Sequence, residues 1–165
     1  MKKLKKMVAC LLCVVLAVGT LTACKANISA YADEEITIIG LTDEEFTITP
    51  ADLAELECEE AKAVGETKKA GTVKAYGPTL ETFLAQYDVT LDQLYSIRFT
   101  AKDDYTVKIG ANTWDNYTVY LSIANGWKKL YEKQRPLRVV IPGSSSGNWV
   151  YSVTKIEFTF KDTEE

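Results

Sequence analysis

The chain opens on one unbroken apolar block and then breaks into short stretches of two different periods. Residues 1–6 hold four lysines, and Met7 to Leu21 follows without a charge. That block is too short for a permanent membrane-spanning helix. From Lys25 to Glu35 the sequence is small, polar and then acidic, with no apolar periodicity, and reads as a tether. Ile36 to Leu41 is β-branched and bounded by Gly40 and the acidic turn Thr42-Asp43-Glu44, while Phe46 to Thr49 alternates; together they predict a hairpin. A helix start follows, with Thr49 as N-cap, Pro50 at the first helical position and Asp52 near the positive end of the dipole. Lys62 to Val64 and Thr72 to Ala75 read as two strands flanking a polar stretch. Leu80, Phe83, Leu84 and Tyr87 then fall at helical offsets, so the segment from Thr79 to Tyr87 turns all four towards a core.

The second half is dominated by period-two alternation. Ser96 to Thr100 and Tyr105 to Ile109 alternate around Lys102-Asp103-Asp104, which predicts another hairpin. Thr118 to Ile123, Leu137 to Ile141 and the long run Tyr151 to Phe160 complete the strands. In the last of these Ile156, Phe158 and Phe160 share one face. There is no internal repeat. The class is α+β, with mainly antiparallel strands and a few short helices.

The N-terminal block acquires a meaning from its end. Leu21-Thr22-Ala23-Cys24, with small residues before a thiol and lysines ahead of the apolar run, resembles the lipobox of bacterial lipoproteins. The resemblance implies cleavage after Ala23, acylation of Cys24 and a protein held on the extracytoplasmic face of the cell membrane through that lipid. Two alternatives stand beside it: an ordinary secretory signal cut after Ala30-Tyr31-Ala32, and an uncleaved anchor. The resulting organisation is a signal peptide over 1–23, a tether over 24–35, one domain over 36–161 and a tail over 162–165.

Charge and composition then exclude more than they add. Removing residues 1–23 takes four of 19 basic groups and no acids, leaving 15 against 23 and a formal balance of −8. Such a surface argues against nucleic acid and against a second, electrostatic hold on anionic lipid. The chain has no histidine, which removes His-based triads, His-containing zinc sites and imidazole acid–base switches. With Cys10 and Cys13 leaving in the signal and Cys24 acylated, Cys58 is expected to be the only free thiol, with no internal disulfide.

Taken in order, the pieces resemble the oxidoreductase molybdopterin-binding domain, the sulfite-oxidase-like fold. Ile36 to Leu41 is similar to its opening strand ending in Gly-Leu, and Ile48 to Leu56 to its strand and Thr-x-x-Asp-Leu helix. Tyr76-Gly77-Pro78-Thr79-Leu80 to Leu84 is similar to its next helix. Arg135-Pro136-Leu137-Arg138-Val139-Val140-Ile141-Pro142-Gly143 is like its Pro-Leu-Arg strand and Pro-Gly turn. The resemblance implies a bound molybdopterin, with Arg138 and Gly143 at the cofactor and a cysteine thiolate on molybdenum. That cysteine should fall near Val64 to Thr67, where none occurs. Cys58, in Glu57-Cys58-Glu59, mimics the motif but directly follows the helix, and neighbouring carboxylates would raise its thiol pKa. It reads as a small, partly buried apolar residue, with a cofactor ligand and a redox-modified thiol as alternatives. Tyr151 stands where the family commonly has a phosphate-binding lysine.

Aromatics concentrate late in the chain: Trp114, Tyr117, Tyr120, Trp127, Tyr131, Trp149 and Tyr151. Aromatic faces beside polar loops can line a surface for a small molecule or a protein partner, although half-buried strand positions are their ordinary place. Trp114, Trp149 and Tyr151 are the candidate ligand surface. The functional expectation is a lipid-anchored binding or accessory module on the molybdopterin-binding fold. A divergent molybdopterin-dependent oxidoreductase, retaining Arg138, Gly143 and Cys58 at a cofactor, is the alternative.

Overall fold

The computed structural model describes residues 26–65 and 71–161. Among the described residues two antiparallel-rich sheets and three short α-helices share one core. The first hairpin forms as the alternation predicts: β1 (Ile36–Ile39) pairs antiparallel with β2 (Phe46–Ile48). Gly40 ends β1 at φ +76, and an added Cβ would stand 2.3 Å from the Phe158 carbonyl oxygen. Only glycine fits this turn.

Helix α1 (Pro50–Ala54) begins with a reciprocal cap. The Asp52 backbone N–H donates to Thr49 Oγ1 at 3.2 Å, and the Thr49 N–H donates to Asp52 Oδ2 at 2.7 Å. Strands β3 (Glu59–Val64) and β4 (Thr72–Gly77) follow as an antiparallel pair. Helix α2 (Leu80–Leu84), capped by Thr79, buries Leu80, Phe83 and Leu84 and leaves Tyr87 half-buried in the 3-10 turn beyond it. The apolar offsets thus face the core, and the helix is shorter than they suggest.

β5 (Leu94–Ala101) and β6 (Thr106–Ile109) make the second hairpin, burying Ile97 and Phe99 completely. Each such side chain contributes about 1.5–3 kcal/mol by leaving water. Helix α3 (Ala111–Trp114) leads to β7 (Tyr120–Ser122), then to the two-residue strands β8 (Ala124–Asn125) and β9 (Lys128–Lys129), and on to β10 (Leu137–Val140). The chain closes with β11 (Val150–Phe160).

The larger sheet runs β2-β1-β11-β10-β7, with β5 also on β11 and β6 on β5. Among the described residues β1 with β11 is the parallel pair; the other strand pairs are antiparallel. The smaller sheet runs β3-β4-β8-β9. In β11 strict alternation fails. Ser152 adopts φ 52 and the register shifts between Val153 and Lys155, so Val150, Val153, Ile156 and Phe158 are buried while Phe160 is exposed.

One expectation is corrected before the first strand. The stretch read as a tether contains Tyr31, which is only 2% exposed. Its hydroxyl donates to the Ile123 carbonyl at 2.7 Å and accepts from the Leu130 N–H at 3.0 Å. A lone aromatic in a polar run leaves no periodic signal, so its burial depended on partners 92 and 99 residues away.

Candidate functional site

A broad groove of about 1660 Å³ opens where the smaller sheet meets β10 and β11. Its floor is Arg138. β10 carries this residue between Leu137 and Val139, both buried in the core, and no part of Arg138 is exposed. The guanidinium is held by neutral groups. Nη1 donates to Asn125 Oδ1 at 2.8 Å, and Nη2 donates to Ser122 Oγ at 3.3 Å and to the Lys74 carbonyl at 3.4 Å. Nε has no partner.

The framework that fixes those acceptors is continuous. Ser122 Oγ donates to the Ala124 carbonyl at 2.9 Å and accepts from the Tyr76 N–H at 3.2 Å. Asn125 Nδ2 donates to Gln134 Oε1, which also takes the Tyr131 N–H; both distances are 3.2 Å. The hairpin of β8 and β9 turns through Gly126 at φ +55, the conformation its Asn-Gly pair favours. Among the described residues no carboxylate faces Arg138: the ionisable groups acting on it are the phenols of Tyr151 and Tyr31. Burial lowers its pKa to about 10, so it stays charged at neutral pH and, among the described residues, its charge is uncompensated.

The rim adds to that charge. Among the described residues seven basic groups and one acid, Glu132, line the groove. Lys74 is ion-paired with Glu60 at 3.5 Å and Lys102 with Glu34 at 2.8 Å. Lys128, Lys129 and Lys133 meet no carboxylate among the described residues. Arg135 lies over the Tyr31 ring at 5.0 Å and donates from Nε to the Leu130 carbonyl at 3.1 Å. Trp127 and Tyr131 stand out from the rim at 60% and 68% exposure, and Trp127 leans on Tyr76 with ring centroids 5.2 Å apart. A chain of net negative charge therefore presents one electropositive, aromatic-rimmed groove.

Of the residues singled out from sequence, the groove brings together Arg138 and Tyr151. Trp114 and Trp149 belong to the core at 7% and 6% exposure, and the Trp149 indole donates to the Ile141 carbonyl at 3.0 Å. They cannot present a ligand surface, because the packing around α3 and the loop before β11 turned both indoles inward. Gly143 sits at φ +84 against the Tyr117 ring, outside the groove lining.

Cys58 is not a free thiol: it is disulfide-bonded, and it does not line the groove. The expectation of no disulfide rested on removing Cys10, Cys13 and Cys24 from the count, and those three lie outside the described residues, as does the proposed acylation site. Trp127 and Tyr131, named in the aromatic set but not among the candidate ligand surface, also line the groove, and the residues missed from sequence are Lys128, Lys129, Lys133 and Arg135. Their signal was present as a basic and aromatic run within an acidic chain.

The described residues do not fit a molybdenum-bearing pterin. β3 ends on Val64, exposed and without a thiol, where the resemblance calls for the ligand, and the following Gly65-Glu66-Thr67 holds no cysteine. Cys58 has its sulfur in a disulfide, and both terminal nitrogens of Arg138 are committed to the protein's own framework. Among the described residues no cluster of His, Cys, Asp or Glu could hold a metal ion.

No protein-family profile and no curated protein matches the chain. A solved structure does: the sulfane dehydrogenase SoxCD from Paracoccus pantotrophus, at a TM-score of 0.63 and 18% identity, covering 81% of this chain and 40% of that one. The chain thus spans about two-fifths of that protein's length. At this identity the likeness shows the fold alone, an α+β, sulfite-oxidase-like architecture with mostly antiparallel strands and a few short helices.

Proposed function

We propose that this protein is a lipid-anchored extracytoplasmic binding or accessory module, attached through Cys24, in which the sulfite-oxidase-like fold presents the groove over Arg138 to an anionic ligand. The carrying observation is a buried guanidinium that, among the described residues, has no counter-charge and lies beneath three lysines with no ion-pair partner. A buried charge left without a partner is costly, and an anion in the groove offsets that cost. The ligand position on β3 carries no thiol, which favours binding over molybdenum redox chemistry.

Two measurements test this reading. Protein purified from a host that makes molybdopterin should contain no stoichiometric molybdenum or pterin; one equivalent of either overturns the binding role in favour of an oxidoreductase. Cys24→Ser should release the protein from the membrane fraction or stall its processing, and unchanged membrane association with normal maturation refutes the anchor. An acylated Cys24 sulfur cannot also be the disulfide partner of Cys58. Intact mass of the membrane form, before and after reduction, separates the two states.

A further inference from the structure

The face bearing the groove is also the face nearest the proposed attachment point. Asn27 lines the groove and is three residues from Cys24, a separation that even extended chain limits to about 10 Å. Tyr31, a further turn along, is stitched between Ile123 and Leu130 in the groove wall. The groove exceeds the roughly 300–1,000 Å³ of small-molecule pockets, so its occupant is extended or a surface. Its cations are spread along the β9 edge and the turn after it, not converged on one point. Exposed Trp and Tyr beside unpaired lysines match the headgroup layer, where amphipathic rings and cations both find partners.

We propose that this rim is the face the domain lays on its own membrane, with Trp127 and Tyr131 in the headgroup layer and Lys128, Lys129 and Lys133 on the phosphates of anionic phospholipid. The inference rests on anchoring through Cys24 and names the anionic ligand of the groove. It also reverses what average charge suggests. The acids that make the chain negative lie mostly off this lining, so with Arg138 buried and Lys74 and Lys102 ion-paired the membrane meets Lys128, Lys129, Lys133 and Arg135 against the acid Glu132.

Trp127 is a built-in reporter, because the other two tryptophans, Trp114 and Trp149, are buried. The acylated full chain is reconstituted into vesicles of phosphatidylcholine alone or mixed with phosphatidylglycerol, each with brominated acyl chains, and flotation is read alongside tryptophan quenching. Docking gives quenching on the anionic vesicles that salt relieves. Near an anionic surface each lysine is worth roughly fivefold, so Lys128→Ala/Lys129→Ala/Lys133→Ala should lower the docked-to-free ratio about a hundredfold while flotation stays intact.

Flotation without quenching overturns the docking and leaves the anchor standing. Failure to float on neutral vesicles overturns the anchor, and docking then stands or falls on flotation with anionic vesicles alone. Equal quenching on both vesicles, or relief by a soluble acidic polysaccharide at unchanged ionic strength, overturns the phospholipid assignment.

Discussion

Replacing Arg138 with methionine removes a buried charge while keeping most of the side-chain volume, and the structure sets what this should do. A guanidinium held down at about 10, well below the usual arginine range, carries a penalty of roughly 3 kcal/mol at neutral pH. The variant is relieved of it. Against that gain stand three hydrogen bonds, of which only the one to Asn125 Oδ1 at 2.8 Å is short; the others are 3.3 and 3.4 Å. A charge-assisted bond contributes about 1.5–3 kcal/mol, and the orphaned Asn125 oxygen costs about 1–3 kcal/mol more. The terms nearly cancel, so the unfolding free energy of Arg138→Met should lie within about 2 kcal/mol of wild type.

Urea unfolding followed by tryptophan fluorescence under non-reducing conditions measures this, and a loss above about 4 kcal/mol refutes the reasoning, because that is the signature of breaking a compensated pair. The alkaline limb has a definite sign. The folded pKa is depressed, so the penalty is fully present below about pH 10 and fades as pH rises towards the ordinary arginine value, where wild type gains on the variant. Multivalent anions should raise the melting temperature of wild type and leave that of the variant nearly fixed.

Other expectations follow from the same packing. Trp149→Ala should cost about 3–5 kcal/mol of stability through lost core volume and a lost indole hydrogen bond; a stable variant defective only in ligand binding would restore the surface role. Tyr31→Ala should destabilise by more than about 2 kcal/mol in thermal unfolding, whereas a tether residue would be silent. Gly40→Ala should cost at least about 1–2 kcal/mol, since the left-handed φ and the Phe158 carbonyl both oppose a Cβ; unchanged denaturant midpoints would contradict that geometry. In protein that keeps residues 1–24 unacylated, Cys58 should resist alkylation after unfolding until a reductant is added, as peptide mass mapping would show; labelling of that form without reductant refutes the disulfide.

Local interactions made part of the fold readable. The Thr49 cap, the α2 stripe and the two hairpins depend on residues a few positions apart, so their patterns survive in the linear sequence. The groove draws Asn27, Lys74, Asn125, Arg138 and Tyr151 from separate parts of the chain, and no window contains it. A mean charge of −8 over residues 24–165 concealed where the cations gather. Trp114 and Trp149 looked exposed because their neighbours are polar; the direction of each indole was decided by packing against distant strands. Arg138 was legible as a candidate from the Pro-Leu-Arg strand, but its want of a counter-charge could be seen only once every surrounding group was placed.

The placement of β11 constrains when this fold can come into being. That strand contacts β10, β1 and β5, and its pairing of Lys155 with Thr37 joins opposite ends of the described chain. The middle of the larger sheet is therefore supplied by the last strand of the described residues. The strands before it cannot form that sheet until β11 is present to join β1, β10 and β5. The long sequence separation of these contacts makes that closure slow.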